Sequence, residues 1–214
     1  MASYTKSFLV APLRSLLRAT AQARESLRRL HAHASLAADL ALPLPASVVV
    51  LGRAIVYGSR AVQFGEDALL YPYLHLETQS PATIVIGDGV VISRGVHLVA
   101  MSGITIGSGT MIGEYASIRD SNHCRLPGVP MRHAGYRGGP IVIGKEVWIG
   151  RGSIVIGGIT IGDGATIGAN AVVTHDVPAG ATVAGVPAIP IRSRQPIAVP
   201  AGISAGVDEL KTSG

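Results

Sequence analysis

Residues 141–173 read IVIGKEVWIGRGSIVIGGITIGDGATIGANAVV, and in them Ile143, Ile149, Val155, Ile161, Ile167 and Val173 fall six apart. Gly144, Gly150, Gly162 and Gly168 directly follow four of these, and Val147, Ser153, Ile159, Ala165 and Ala171 recur two positions before a member of the series. A second series runs Ile106, Ile112, Ile118, a third Ile86, Ile92, Leu98, and a fainter one begins with Val50, Val56 and Val62. Six residues supply one short strand and one corner, with a single aliphatic side chain pointing permanently inward. Three such units close a triangular coil, and coils stack about 4.8 Å apart through parallel-sheet hydrogen bonds. A period of six fits neither an amphipathic helix nor a Rossmann unit, which needs helical crossovers. Pairs such as Gly162-x-Gly164 therefore read as corners rather than as a phosphate loop.

Outward from this block the rhythm breaks twice. From Leu98 to Ile106 is eight residues, a two-residue insertion, and from Ile118 to Ile143 is 25. The longer break holds an excursion, 124–139, rich in Arg, His, Pro and Gly, and it starts beside His123. Long departures from a rigid scaffold are favoured places for function. All 27 glycines lie after residue 51, with Pro43-Leu44-Pro45 just before that step. Upstream, Leu9, Leu13, Leu16, Leu17, Leu27 and Leu30 recur near helical spacing among Arg14, Arg18, Arg24, Arg28 and Arg29. The expected organisation is an amphipathic helical segment over 1–45, a β-helix over 48–192 and a tail over 193–214. The helical segment packs on the body or on another subunit, or rests as a basic helix on a membrane surface.

The charge belongs mostly to that first segment: residues 1–45 carry six Lys or Arg against two Asp or Glu, and the remainder 12 against 11. No dense basic run interleaved with aromatics suggests a nucleic-acid partner. A single cysteine, Cys124, excludes an internal disulfide framework and any multi-cysteine metal site. The apolar run from Phe8 to Leu13 ends at Arg14, too short for a membrane span, so a cytoplasmic location is expected, with peripheral contact at the inner membrane as the variant.

The hexads, together with Asp120-Ser121-Asn122-His123, residues 140–150 (PIVIGKEVWIG) and Gly185-Val186-Pro187-Ala188, resemble the hexapeptide-repeat acyltransferases. Within them the sequence is most similar to sugar O-acetyltransferases of the galactoside and maltose type and to capsule acetyltransferases. The resemblance covers about residues 48–192. It implies an all-β fold, a left-handed parallel β-helix, in a homotrimer with active sites between neighbouring copies. It further implies acetyl-coenzyme A as co-substrate, no metal, and a carbohydrate hydroxyl as acceptor, with N-acetylation of an amino sugar or of an antibiotic as the alternative.

The resemblance places His123 as general base, a role imidazole suits because it titrates near neutrality. It assigns the backbone N–H of Arg151 to the oxyanion. Asp120, Glu114 or a backbone carbonyl would orient the imidazole. Ala169, Thr174 and Arg192 match coenzyme-contacting positions, and Trp148 would wall the cleft. Ser93 stands where the galactoside type often has a substrate-binding Asn, which argues against a simple galactoside acceptor. His175 and Ile189 stand where basic residues are common. Met131, His133 and Tyr136 in the excursion are candidate contacts to the acceptor or to the neighbouring subunit, or plain solvated loop. A His123–Cys124 pair is poorly placed, since neighbours on a strand face opposite sides.

A γ-carbonic anhydrase uses the same fold but gathers three zinc-binding histidines. His75, His97, His123, His133 and His175 are spaced too widely along the chain to show that close pairing. A purely structural β-helix would show a threonine ladder, which Thr105, Thr160 and Thr166 do not form.

Overall fold

The computed structural model describes residues 2–191, and Arg192 and the tail 193–214 lie outside the described residues. Six coils follow one another. The first holds β1 (Val49–Val50), β2 (Ile55–Gly58) and β3 (Val62–Phe64), the second β4 (Leu69–Leu70), β5 (His75–Thr78) and β6 (Ile84–Ile86). The third holds β7 (Val91–Ile92), β8 (His97–Ala100) and β9 (Ile104–Ile106). The fourth is β10 (Met111–Ile112), β11 (Ser117–Arg119), a hairpin of β12 (Ser121–His123) and β13 (Tyr136–Gly138), and β14 (Ile141–Ile143). The fifth is β15 (Trp148–Ile149), β16 (Ile154–Ile156) and β17 (Thr160–Ile161). The sixth is β18 (Thr166–Ile167) and β19 (Val172–Val173), after which β20 (Thr182–Ala184) and β21 (Ile189–Pro190) close the end.

Hydrogen bonding sorts these strands into three parallel sheets, the faces of a triangular prism. Face one is β1-β4-β7-β10-β15-β18-β20, with β21 added antiparallel; face two is β2-β5-β8-β11-β16-β19; face three is β3-β6-β9-β14-β17. The architecture is a left-handed parallel β-helix.

Each hexad aliphatic stacks on its counterpart one coil away. On face one the register runs Val50, Leu70, Ile92, Ile112, Ile149, Ile167, Val183. On face two it runs Val56, Leu76, Leu98, Ile118, Val155, Val173. Nearly all of these side chains are buried, each contributing about 1.5–3 kcal/mol of transfer free energy. On face three the hexad column is Phe64, Ile86, Ile106, Ile143, Ile161. Val62, expected to carry the rhythm of the first coil, instead aligns with Ile84. The hexad position there is Phe64, because the corner between faces two and three takes two extra residues. That corner absorbs every insertion in the molecule: eight residues separate Val56 from Phe64, ten Leu76 from Ile86, eight Leu98 from Ile106 and 25 Ile118 from Ile143.

Two helices precede the coils, α1 (Ala2–Ala19) and α2 (Ala21–Asp39), over the stretch where Leu recurs at helical spacing. Ala32 and Leu36 of α2 are buried in the same core as Val48 and Val50, so its second half caps the open end of the first coil. His33 Nδ1 sits 3.0 Å from the Val48 carbonyl oxygen and ties the helix to β1. Leu13, Leu16, Leu27 and Leu30 stay exposed. Among the described residues, no helix is long and apolar enough to cross a membrane.

Candidate active site

At the corner between faces one and two, a carbonyl of each coil accepts a backbone N–H from the coil that follows. Tyr73 donates to Arg53, Gly95 to Pro72, Tyr115 to Arg94, Gly152 to Glu114 and Asn170 to Arg151. The N–H groups of the carbonyl-bearing Arg94, Glu114 and Arg151 take no part, and these, with that of the equivalent Ala169, have no hydrogen-bond partner among the described residues. Pro72, which has no N–H at all, fits the same position for that reason. The corner between faces three and one is built differently. There Asp88 Oδ1 accepts from Glu66 N–H, Ser108 Oγ from Asp88 N–H and Asp163 Oδ1 from Lys145 N–H. Asp88 and Asp163 therefore act as amide caps. The Arg151 N–H is thus a donor that the fold leaves free, just past β15, in which Trp148 is exposed and Ile149 buried.

His123 belongs to the other side of face two. It is the last residue of β12, in the hairpin that leaves the insertion-bearing corner between faces two and three in the fourth coil, and it is exposed. β12 and β13 pair antiparallel with His123 opposite Tyr136, and the two rings lie 4.3 Å apart between centroids at 37°. Cys124 N–H donates to Gly135 O, closing the hairpin's far end. Met131 and His133 form a short 3-10 turn at its tip, exposed and without a contact to His123.

Asp120, a candidate for orienting His123, is spent elsewhere. It is fully buried, and its carboxylate accepts the backbone N–H groups of Met101 (2.9 Å), Ser102 (2.6 Å) and Gly103 (2.7 Å). It roots the hairpin by fixing the turn beneath it. Glu114, the other candidate, stands at the Arg151 corner and likewise makes no hydrogen bond to His123 within the chain. What touches the imidazole is Tyr136, which the sequence reading left as a contact to acceptor or neighbouring subunit or as solvated loop; the antiparallel register that brings the pair together is invisible to a six-residue period.

The remaining candidates divide between the same two corners. Ser93, Glu114 and Arg151 line one depression with Tyr71 and Arg94. Ala169 lies one coil beyond Arg151, with its amide 2.6 Å from where a Cβ on Gly150 would sit, so only glycine fits between them. Thr174 ends face two on the His123 side, its Oγ1 2.9 Å from His175 Nδ1. Trp148 projects from face one, 60% exposed, beside Met111 and Thr166. Arg192 lies outside the described residues. Within one chain, then, Arg151 and Ala169 occupy one edge of face two, and His123 and Thr174 the other.

The histidine spacing misled in one respect. His75 and His97, 22 residues apart, are neighbours on face two, their rings stacked at 4.7 Å with Glu77 Oε2 3.6 Å from His75 Nε2. Partial burial, then the proximity of His75 and Arg119, holds His97 below its ordinary pKa. Among the described residues no group of three His, Cys, Asp or Glu side chains could hold a metal ion.

Comparison with known proteins agrees with this architecture. The bacterial transferase hexapeptide (six repeats) family matches residues 140–175. An Escherichia coli K12 protein named "Putative lipopolysaccharide biosynthesis O-acetyl transferase WbbJ" is 32% identical over 136 residues, 60% of this chain and 69% of its own length. The galactoside O-acetyltransferase of the same organism is 32% identical over 133 residues, covering 60% of this chain and 62% of that one. The structure of AntD, an N-acyltransferase from Bacillus cereus in complex with dTDP and 3-hydroxybutyryl-CoA, superposes with a TM-score of 0.61 over 71% of this chain and 82% of that one, at 20% identity. The fold and these relatives make the chain an acyltransferase of the β-helix class. The chain belongs to the hexapeptide-repeat acetyltransferase family.

Proposed function

We propose that this enzyme transfers the acetyl group of acetyl-coenzyme A to a hydroxyl of a carbohydrate, in a site completed between copies of a homotrimer. The observation that carries the reading is the free Arg151 N–H, in a corner whose equivalent amides at Arg94, Glu114 and Ala169 are unpaired too, whereas side chains cap Glu66, Asp88 and Lys145 at the corner between faces three and one. An alcohol is a poor nucleophile near neutral pH. His123 takes the hydroxyl proton as the oxygen attacks the thioester carbonyl. The tetrahedral oxyanion accepts the Arg151 N–H, and its collapse expels the coenzyme thiolate, which recovers the proton from the imidazolium. Both molecules are substrates and leave as the acetyl ester and free coenzyme A. Because Arg151 and His123 stand on opposite edges of face two, the His123 edge of one copy must meet the Arg151 edge of the next. Trp148, Ala169 and Thr174 then flank the coenzyme channel.

The carbohydrate acceptor is supported by the relatives at 32% identity whose names place O-acetyl transfer on lipopolysaccharide and galactoside chemistry. The test is product analysis after incubation with acetyl-coenzyme A and a panel of glycans and amino sugars. An acetylated sugar whose acetyl group is released by mild alkali or hydroxylamine supports the reading. An alkali-stable amide makes the enzyme an N-acetyltransferase, and acetylation of no carbohydrate overturns the acceptor class.

A further inference from the structure

The corner of faces one and two contains an unusual choice of residue. Its left-handed position is filled in successive coils by Tyr73, Gly95, Tyr115, Gly152 and Asn170, with φ of 67°, 68°, 60°, 67° and 58°. Glycine and asparagine adopt this conformation readily, whereas a tyrosine Cβ crowds the following carbonyl. Arg60, Asp67 and Glu146 are the other non-glycine residues at positive φ among the described residues, and none of them is aromatic. The solenoid gains little from the two rings: Tyr73 is 58% and Tyr115 56% exposed, and neither enters the core. A strained backbone that serves no packing points to a role for the side chain.

The surroundings are arranged around the rings. A Cβ on Gly95 would lie 2.7 Å from Tyr115 Cδ1, so glycine makes the room in which that ring rests. The Arg94 guanidinium lies 5.6 Å from the Tyr73 centroid, and that of Arg151 lies 5.7 Å from the Tyr115 centroid. Between them is the depression lined by Tyr71, Ser93, Arg94, Glu114 and Arg151, where the Glu114 carboxylate has no hydrogen-bond partner among the described residues. Tyr73 and Tyr115 are two coils apart, about 9.6 Å at the usual strand spacing.

We infer that Tyr73 and Tyr115 form the acceptor-binding face of this enzyme, on which a carbohydrate chain of two or more sugar rings lies along the corner. The inference rests on the function proposed above and adds the acceptor's size and the residues that choose it. The rings give successive sugars an apolar support. Arg94, Arg151 and Glu114 hydrogen-bond the ring hydroxyls, and the reacting sugar sits at the Tyr115 end, next to the Arg151 N–H.

The test uses Tyr73→Asn and Tyr115→Asn, because asparagine already holds this position at Asn170. Each variant keeps or raises Tm, by up to about 2–4 °C. Each raises the oligosaccharide KM about tenfold, equivalent to 1.4 kcal/mol, and leaves the acetyl-coenzyme A KM unchanged. Tyr115→Asn also weakens a monosaccharide acceptor, whereas Tyr73→Asn does not. Turnover by the wild type with an unchanged acceptor KM in both variants overturns this inference alone. A lower Tm with dissociation of the assembly also overturns it and makes the rings a contact between copies. Transfer to no carbohydrate by the wild type overturns the proposed function with it.

Discussion

The imidazole of His123 lies against the ring of Tyr136, 4.3 Å between centroids, because an antiparallel two-stranded hairpin pairs the two residues outside the parallel solenoid. The role of base proposed for His123, on an exposed strand end, needs something to restrict its rotamers, and a ring from the returning strand packs against it. Tyr136→Phe keeps that packing and is expected to retain kcat within about twofold. Tyr136→Ala removes a contact of about 0.5–1.5 kcal/mol and lowers kcat several-fold with little change in Tm. Steady-state kinetics on both variants checks the difference, and equal losses would point to the phenol hydroxyl instead.

The role proposed for Arg151 lies in its backbone, which side-chain truncation does not remove. Arg151→Pro deletes the N–H at a position whose counterpart three face-one strands earlier in the stack, Pro72, shows that proline fits the corner. The expected loss in kcat is about 10²–10³, the usual effect of an oxyanion donor, while Arg151→Ala retains far more. Thermal melts of both proteins check that the proline variant is folded.

Asp120 is expected to matter for stability rather than chemistry. Asp120→Ala leaves the N–H groups of Met101, Ser102 and Gly103 without their acceptor and a cavity beneath the hairpin. A cost of about 2–4 kcal/mol follows from the charge-assisted bonds lost, and denaturant titration measures it.

The stacked pair His75 and His97 gives stability a pH dependence. His97 has a folded pKa below its ordinary 6.5, chiefly from partial burial and then from His75 and Arg119. The unfolded chain therefore binds the proton first, and stability is complete above about 6.5 and falls as the pH drops through that value. Tm is expected to decline between pH 7.5 and 5.5, and His97→Gln to flatten that part of the curve. An identical decline in the variant would assign the effect to other groups.

The core was legible because burial in a narrow prism imposes one aliphatic per strand. Ile143 through Val173 all lie where their spacing puts them, and Ile106, Ile112 and Ile118 align with them coil on coil. Val62 misled because it too is inward, one residue pair before the position the period tracks. The site was legible only in part. His123 is flagged by the excursion it opens, but Asp120 was read by its nearness in sequence when its carboxylate turns into the body. The stacking of His75 on His97 and the shared corner of Tyr73 and Tyr115 depend on coil length, which the insertions at one corner make uneven. Aligning coils by their face-one strands, rather than counting sixes, would have set Tyr73 and Tyr115 beside Gly95, Gly152 and Asn170.

The most direct measurement is free-thiol release from acetyl-coenzyme A in the presence of glycan acceptors, comparing the wild type with His123→Ala. The expected result is acceptor-dependent release by the wild type that falls by about 10²–10⁴ in the variant, with Tm and coenzyme binding unchanged. Equal turnover by a folded His123→Ala protein would contradict the assignment of the base, and the absence of release by the wild type with every acceptor would contradict carbohydrate acetyl transfer itself.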